Sequence, residues 1–221
     1  MSNLDVLFNR WSGPLSELGR GHHLNYVMNI LNPLYSSDTK IYPNTTEVFK
    51  AFHMLEPEDL RVVILGLDPY NTGDMATGYA FSNPEGTIKM SPSLWKIYKE
   101  VERTTRDGFY LNFDVTLQHW ADQGVLSLNS AFTVEERKPG SHIHIWDKFT
   151  KTLISELSRN FEGIHFCFWG KQAQQFAYLV DEYKHNVYSC YHPAYAVRKG
   201  IDWECDHFVK INKCLKPPIQ W

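Results

Sequence analysis

The chain has 221 residues, 43% hydrophobic and 21% charged, and its 22 Lys and Arg against 25 Asp and Glu give a formal charge of −3. That composition suits a packed core and excludes gross disorder, and no apolar run approaches the ~18 residues that a membrane span requires. The net charge offers no global attraction to nucleic acid or to an acidic membrane, yet it is compatible with a locally basic cleft. Asp5 and Arg10 interrupt the N-terminal segment, so no signal peptide is expected there. The four cysteines, Cys167, Cys190, Cys205 and Cys214, form no C-x-x-C pair. Reduced thiols in a cytoplasmic setting, bacterial or host-cell, are expected, with the nucleus also allowed. Aromatic residues make up 14%; they suit either a core of large side chains or stacking on planar ligands.

In chain order, four short apolar runs read as buried parallel strands: 61–66 (RVVILG), 124–129 (GVLSLN), 164–169 (IHFCFW) and 187–191 (VYSCY). Helical patterns lie between them. Leu94, Ile97, Tyr98 and Val101 share one face after a Ser91-Pro92 start signal. Trp146, Phe149, Leu153, Ile154 and Leu157 form a second apolar stripe, and Ala173, Phe176, Ala177 and Val180 a third. Strands alternating with helices predict an α/β fold: three layers, αβα, around a central, mostly parallel four-stranded sheet. A single domain over 1–221 is expected. Such sheets bind ligands at the carboxyl ends of their strands.

Each strand end offers chemistry. Asp68 follows the first strand, locked by Pro69; a helix-capping turn would use the same residue type. Asn129 ends the second strand, where a side-chain amide presents a donor and an acceptor. Trp169-Gly170-Lys171 opens a helix after the third, a weak phosphate signal. His192 follows the fourth, in a loop that carries Arg198 and Lys199. Together these put an acid, an amide, an imidazole and cations along one sheet edge, which packing alone does not require.

In order and spacing these residues resemble the family 1 uracil-DNA glycosylases. The segment 66–71 (GLDPYN) is similar to the family's water-activating GQDPYH, and 78–82 (GYAFS) to its GLAFS. The segment 91–94 (SPSL) is similar to its proline-rich PPSL, and 124–129 to its uracil-reading GVLLLN. Trp169-Gly170 resembles the glycine-serine loop and His192-Pro193 the start of the HPSP loop. Residues 41–221 are covered, and 1–40 match weakly.

The resemblance implies a metal-free, cofactor-free hydrolase of base-excision repair that acts on uracil in single- and double-stranded DNA. It implies that Asp68 positions the water, and that His192 meets the departing base at O2. Asn129 then reads the uracil edge, Phe81 stacks on the flipped ring, and Tyr70 bars a methyl at C5. Leu67 lines the uracil site. The DNA-contacting set becomes Asn71, Ser91, Pro92, Ser93, Gly170, Lys171, Pro193, Tyr195, Arg198 and Lys199. The implied partners are uracil-containing DNA and a DNA-mimicking inhibitor protein, with no membrane and a monomeric chain.

The sequence departs from the family at Leu67 for Gln, Asn71 for His and Lys171 for Ser. The histidine loop is one residue short. Tyr195 is the best substitute for the wedging leucine, with Ala196 and Val197 as alternatives. Metal sites built on His142 and His144, or on Cys190 and His192, lack a third ligand in the sequence pattern. A Cys190 nucleophile and a four-cysteine cluster are likewise disfavoured. The competing class is a catalytically weak glycosylase-like DNA-binding or replication accessory module.

Overall fold

The computed structural model describes residues 7–20, 22–73, 75–105 and 113–221. The helices are α1 (Ser16–Arg20), α2 (His23–Tyr35), α3 (Pro92–Thr105), α4 (Gln118–Ala121), α5 (Ile143–Asn160), α6 (Lys171–Gln174), α7 (Pro193–Lys199) and α8 (His207–Cys214). The strands are β1 (Ile41–Tyr42), β2 (Val62–Gly66), β3 (Val125–Asn129), β4 (Val134–Glu135), β5 (His165–Trp169) and β6 (Asn186–Cys190). A four-stranded sheet runs β3-β2-β5-β6, and β1 pairs with β4 in a small antiparallel ribbon.

Every neighbouring pair in the main sheet is parallel. β2 and β5 are buried along their whole length, which is why they read as unbroken apolar runs. β6, at the sheet edge, is more exposed and more polar. The register places Gly66 opposite Asn129 and Trp169 opposite Cys190. The chain therefore leaves all four strands at one level, and the four segments that follow them emerge side by side.

The helices bury the stripes expected of them. Leu94, Ile97 and Val101 of α3 are buried, as are Trp146, Phe149, Leu153, Ile154 and Leu157 of α5. The start of α3 is as read: Ser91 Oγ accepts from the Leu94 N–H at 3.4 Å, and Pro92 occupies the first helical position.

The third stripe is not one continuous helix. α6 ends at Gln174, and a 3₁₀ turn follows at Ala177–Leu179. Bonds from Gln175 N to Gln172 O and from Phe176 N to Ala173 O tighten the backbone between them. Ala173, Phe176 and Val180 are buried all the same, so tighter turns achieve what a longer helix would have done. His142 stands at the N-cap position of α5, and His144 lies in its first turn.

The described residues of the N-terminal segment, 7–20 and 22–40, join the same core. Phe8, Trp11, Leu15, Leu18, Leu24, Val27 and Leu31 are buried. The Trp11 indole donates to Leu55 O at 3.0 Å. The buried Glu156 carboxylate accepts from Glu17 N at 2.6 Å and Leu18 N at 3.1 Å, tying α1 to α5. Most of the aromatic content is core: Trp11, Trp120, Trp146, Trp169, Trp203 and Trp221 are fully buried. No helix among the described residues is long and apolar enough to cross a membrane.

Candidate active site

A cleft of about 900 Å³ opens at the carboxyl ends of the sheet strands. Its floor is set by a glycine. A Cβ placed on Gly66 would sit 2.7 Å from Asn129 Oδ1 and 2.8 Å from Phe81 Cζ. The absence of that one carbon lets the amide and the aromatic ring approach each other over the end of β2. Phe81 is buried, with a left-handed backbone (φ 68°) that is unusual for a bulky residue. Its ring lies 5.0 Å from Trp169 and 5.5 Å from His192, centre to centre.

Asp68 is half-buried on the wall. Its Oδ2 accepts from the Gly140 N–H at 2.5 Å. Burial raises its carboxyl pKa, and this hydrogen bond works against the rise. The loop that carries it is held on both sides. Leu67 O accepts from Ser130 Oγ at 2.7 Å and Ala131 N at 3.0 Å, and Asn71 O accepts from Arg137 N at 2.9 Å. The Leu67-for-Gln exchange leaves these main-chain bonds untouched.

His192 caps α7. Its Nδ1 accepts from the Ala194 N–H at 3.1 Å. Burial, with Arg198 nearby, lowers the ring's pKa to about 4. At neutral pH the ring is therefore uncharged, and because Nδ1 is an acceptor the proton sits on Nε2. Gly170, in a left-handed conformation (φ 102°), would bring a Cβ to 2.9 Å from His192 Cβ. Glycine there lets the two loops touch.

Tyr70 faces the cleft with its hydroxyl turned away from solvent. It donates to Phe81 O at 2.9 Å and meets Ser91 Oγ at 2.6 Å. Burial pushes its pKa up to about 12. Ser91 is itself buried: its N–H donates to Asn83 Oδ1 at 2.7 Å, and its Oγ accepts from Asn83 Nδ2 at 3.1 Å. Of the sequence-derived DNA set, Ser91 is thus occupied inside the protein. Pro193 is buried at the first turn of α7, and Pro92 is exposed.

Ser93 and Gly170 are buried residues of the cleft lining, and the other members lie toward its rim. Asn71, Ser93, Gly170, Lys171, Tyr195 and Arg198 line the cleft. The segment expected as a loop after His192 is helical from Pro193 to Lys199 and closes at Gly200 in the left-handed region (φ 64°). Tyr195 is 41% exposed, its ring 5.6 Å from Tyr191, with Lys199 Nζ 5.9 Å from its centre. Arg198 and Lys199 are exposed, as is Lys171. Val197, the alternative wedge, is exposed too, whereas Ala196 is fully buried.

The profile of the uracil DNA glycosylase superfamily matches residues 52–216. The chain belongs to that superfamily. It is 38% identical over 210 residues to "Uracil-DNA glycosylase" of Campylobacter lari, covering 93% of this chain and 90% of the relative. It is 38% identical over 205 residues to the protein of that name in Escherichia coli, covering 89% and 88%. Among solved structures, mimivirus uracil-DNA glycosylase superposes with a TM-score of 0.85 at 28% identity, covering 99% of this chain and 89% of that one. A point variant of the mimivirus protein, solved in complex with UGI, gives a TM-score of 0.86 at 27% identity. These alignments reach into the N-terminal segment whose motifs are weak.

Three contributors to the site escape the sequence reading. Gly140 holds Asp68 through its backbone, so only the Pro139-Gly140 turn marks its position. Asn83 braces Ser91, and through it Tyr70. Trp169 matched a motif, yet nothing in the sequence says that its ring backs Phe81.

Proposed function

We propose that this chain hydrolyses the N-glycosidic bond of uracil in single- and double-stranded DNA, opening base-excision repair. What supports the reading above all is the convergence of Asp68, Asn129, Phe81 and His192 on one cleft in a chain of this superfamily. The target base must leave the stack before its sugar carbon is reachable. The rim cations Lys171 and Arg198, with Lys199 beside them, serve the phosphates despite the negative net charge. Asn71, Ser93, Gly170 and the exposed Pro92 complete the backbone contact. Tyr195 fills the gap left by the extruded base.

Within the cleft, uracil stacks on Phe81. Asn129 pairs with its O4 and N3–H; cytosine would set donor against donor in a buried site. Tyr70 stands beside C5 and excludes a methyl. The neutral His192 donates Nε2–H to O2 as negative charge builds on the leaving base, a task that oxyanion-type donors perform at ~10²–10³-fold each. Asp68, aimed by Gly140, orients the water, and its carboxylate form favours the cationic sugar. Asn71 donates a hydrogen bond but lacks the charge of the histidine expected there, so the phosphate beside the reacting sugar is held less tightly.

A DNA-mimicking inhibitor protein would occupy the same cleft; the mimivirus variant is seen in complex with UGI. The accessory-module reading is not favoured, because a binding module has no use for a buried, aimed carboxylate beside a base-sized aromatic pocket. The deciding experiment is single-turnover uracil release by Asp68→Asn. A loss of about 10²-fold or more, with DNA binding retained, is expected. A rate within about threefold of the parent sinks the assignment, since a general base is worth at least ~10².

A further inference from the structure

Behind the cleft, where β6 ends and α8 begins, three donor side chains converge. The thiols of Cys190 and Cys205 and a ring nitrogen of His207 all lie within 4.8 Å of one another. The sequence pattern offers no third ligand for Cys190; the fold brings Cys205 and His207 to it from the segment before α8 and its first residue. Cys205 and His207 are buried and Cys190 is half-buried. All four cysteines are free thiols. We propose that Cys190, Cys205 and His207 form a binding site for a soft divalent d¹⁰ cation, Zn²⁺ or Cd²⁺, and that its occupation switches the neighbouring active site off.

The donor set favours such an ion. Two thiolates and an imidazole are the ligands that zinc prefers, at bond lengths of ~2.3 Å to sulfur and ~2.0 Å to nitrogen. Donor atoms around one tetrahedral zinc therefore stand ~3.5–4 Å apart, so the observed spacing needs only a small contraction. The half-buried side at Cys190 leaves a position for water or an external ligand. The two thiols release their protons as the metal binds.

The coupling to the cleft follows from proton bookkeeping on His207. Its Nδ1 accepts a hydrogen bond from the Trp169 indole N–H at 3.0 Å. If the metal takes Nδ1, the lone pair that accepts this bond is gone. If it takes Nε2, the ring's proton must move to Nδ1, and two N–H groups then face each other. In either case a neutral, metal-bound His207 loses the Trp169 bond. Trp169 is fully buried and its ring backs Phe81 at 5.0 Å. Cys190 itself stands two residues before His192, and its carbonyl accepts from Gly170 N at 2.8 Å and Gln174 Nε2 at 2.7 Å. Drawing Cys190 toward Cys205 thus pulls on the loop contacts that place His192, while freeing Trp169 unsettles Phe81. Displacements near 1 Å at such positions cost ~10²-fold in rate.

The test uses the reduced full-length chain and Cd²⁺ alone. The expected result is a thiolate-to-cadmium absorption band that saturates at one equivalent, a parallel change in tryptophan fluorescence, and a roughly 10- to 100-fold loss of uracil release that EDTA reverses. Cys205→Ser should keep the basal activity while losing the band and the inhibition. Cys205→Ala repeats the test should the serine variant fold poorly, and Cys214→Ser should behave as the parent. Absence of a stoichiometric band overturns the site. An equal band in the Cys205 variants overturns the ligand assignment. Binding without a fluorescence change or inhibition overturns the switch. Because absorption and fluorescence need no substrate, failure of the metal site is distinguishable from failure of the glycosylase reading on which the inhibition arm rests.

Discussion

Gly66→Ala puts the geometry of the cleft floor to a direct test. The added methyl would lie 2.7 Å from Asn129 Oδ1 and 2.8 Å from Phe81 Cζ, where ordinary contact begins at 3.4 Å. Each group must therefore retreat by about 0.6–0.7 Å, or the backbone of β2 must shift. β2 is pinned between β3 and β5 and is buried throughout, so the side chains should yield. They are the two proposed to read and to stack on uracil, and misplacement on this scale costs about 10²-fold in rate. The cost in stability is that of modest overpacking, ~1–3 kcal/mol, or about 2–4 °C in Tm per kcal/mol for a chain of this size. The assay is single-turnover release of uracil from a single-stranded oligonucleotide, which removes the cost of base extrusion, alongside a thermal melt. Gly13→Ala is the control, because a Cβ there meets nothing within 4 Å. A folded Gly66→Ala protein with a rate within about threefold of the parent would falsify the assignment of Asn129 and Phe81 to base binding, since their displacement is worth ~10².

Further outcomes follow from the same geometry. Asn129→Asp should admit cytosine and Tyr70→Ala should admit thymine; unchanged base preference in variants that remain active would mean the pocket is not read at those edges. Tyr195→Ala should impair excision from duplex DNA far more than from single strands, because extrusion costs a few kcal/mol only in a duplex; equal losses would move Tyr195 out of the wedge role. Removal of Lys171, Arg198 or Lys199 should each lower the log–log salt slope of duplex binding by about 0.7–0.9, and an unchanged slope excludes that residue from phosphate contact. Burial lowers the pKa of His192 and His207 to about 4, below the ordinary value of 6.5, and lowers His119, His142 and His165 as well. The unfolded chain then binds more protons below that ordinary value. The share of stability carried by His192 and His207 should be full above pH ~6.5 and decline as pH falls toward 4, by up to ~1.4 kcal/mol per pH unit for each of these two rings. A Tm that is flat across that window, or an NMR titration placing His192 near 6.5, contradicts the neutral ring.

The sheet and the candidate site were largely legible because both rest on strong local signals. Apolar runs gave the four strands to within a residue at each end; the central β2 and β5 have no polar face to blur the pattern, and β6 was caught despite its exposed edge. A strand-end Asp, Asn and His were visible because chemistry at carboxyl ends is a property of the topology. What stayed hidden depends on distance in three dimensions. The hold of Gly140 on Asp68 spans 72 residues and runs through a backbone N–H that carries no residue signature. The break after α6 depends on where Phe176 must land, which helical periodicity alone does not encode. The histidine segment reads as a loop because Pro193 and Gly200 suggest turns; the same two residues, at the first position and just past the last, instead bound a short helix.

The contacts that fix the chemistry and those that fix the polymer are made of different material. Asp68, His192 and Tyr70 are each held through main-chain atoms: Gly140 N, Ala194 N and Phe81 O. Gly66 and Gly170 act by having no side chain at all. Such restraints survive substitution of most neighbours, so exchanges at Leu67 and Asn71 leave the carboxylate and the imidazole where they are. The rim is the opposite case. Lys171, Tyr195, Arg198 and Lys199, the proposed DNA contacts, are exposed side chains on short helices, and nothing in the core constrains their identity. Divergence from the family pattern at 71, 171 and 195–199 is therefore expected to alter how DNA is gripped and how a base is extruded, and to leave the bond-breaking step comparatively intact. That separation has a kinetic signature. Restoring the family residues by Asn71→His and Lys171→Ser should change the salt dependence and the ratio of duplex to single-strand excision. Base preference should stay as it was, because the Tyr70 hydroxyl is held by Phe81 O and Ser91 Oγ, and Asn129 is set by strand register opposite Gly66. If those rim exchanges instead rewrote which base is released, floor and rim would be mechanically one unit, and the backbone restraints would not be what holds the pocket in shape.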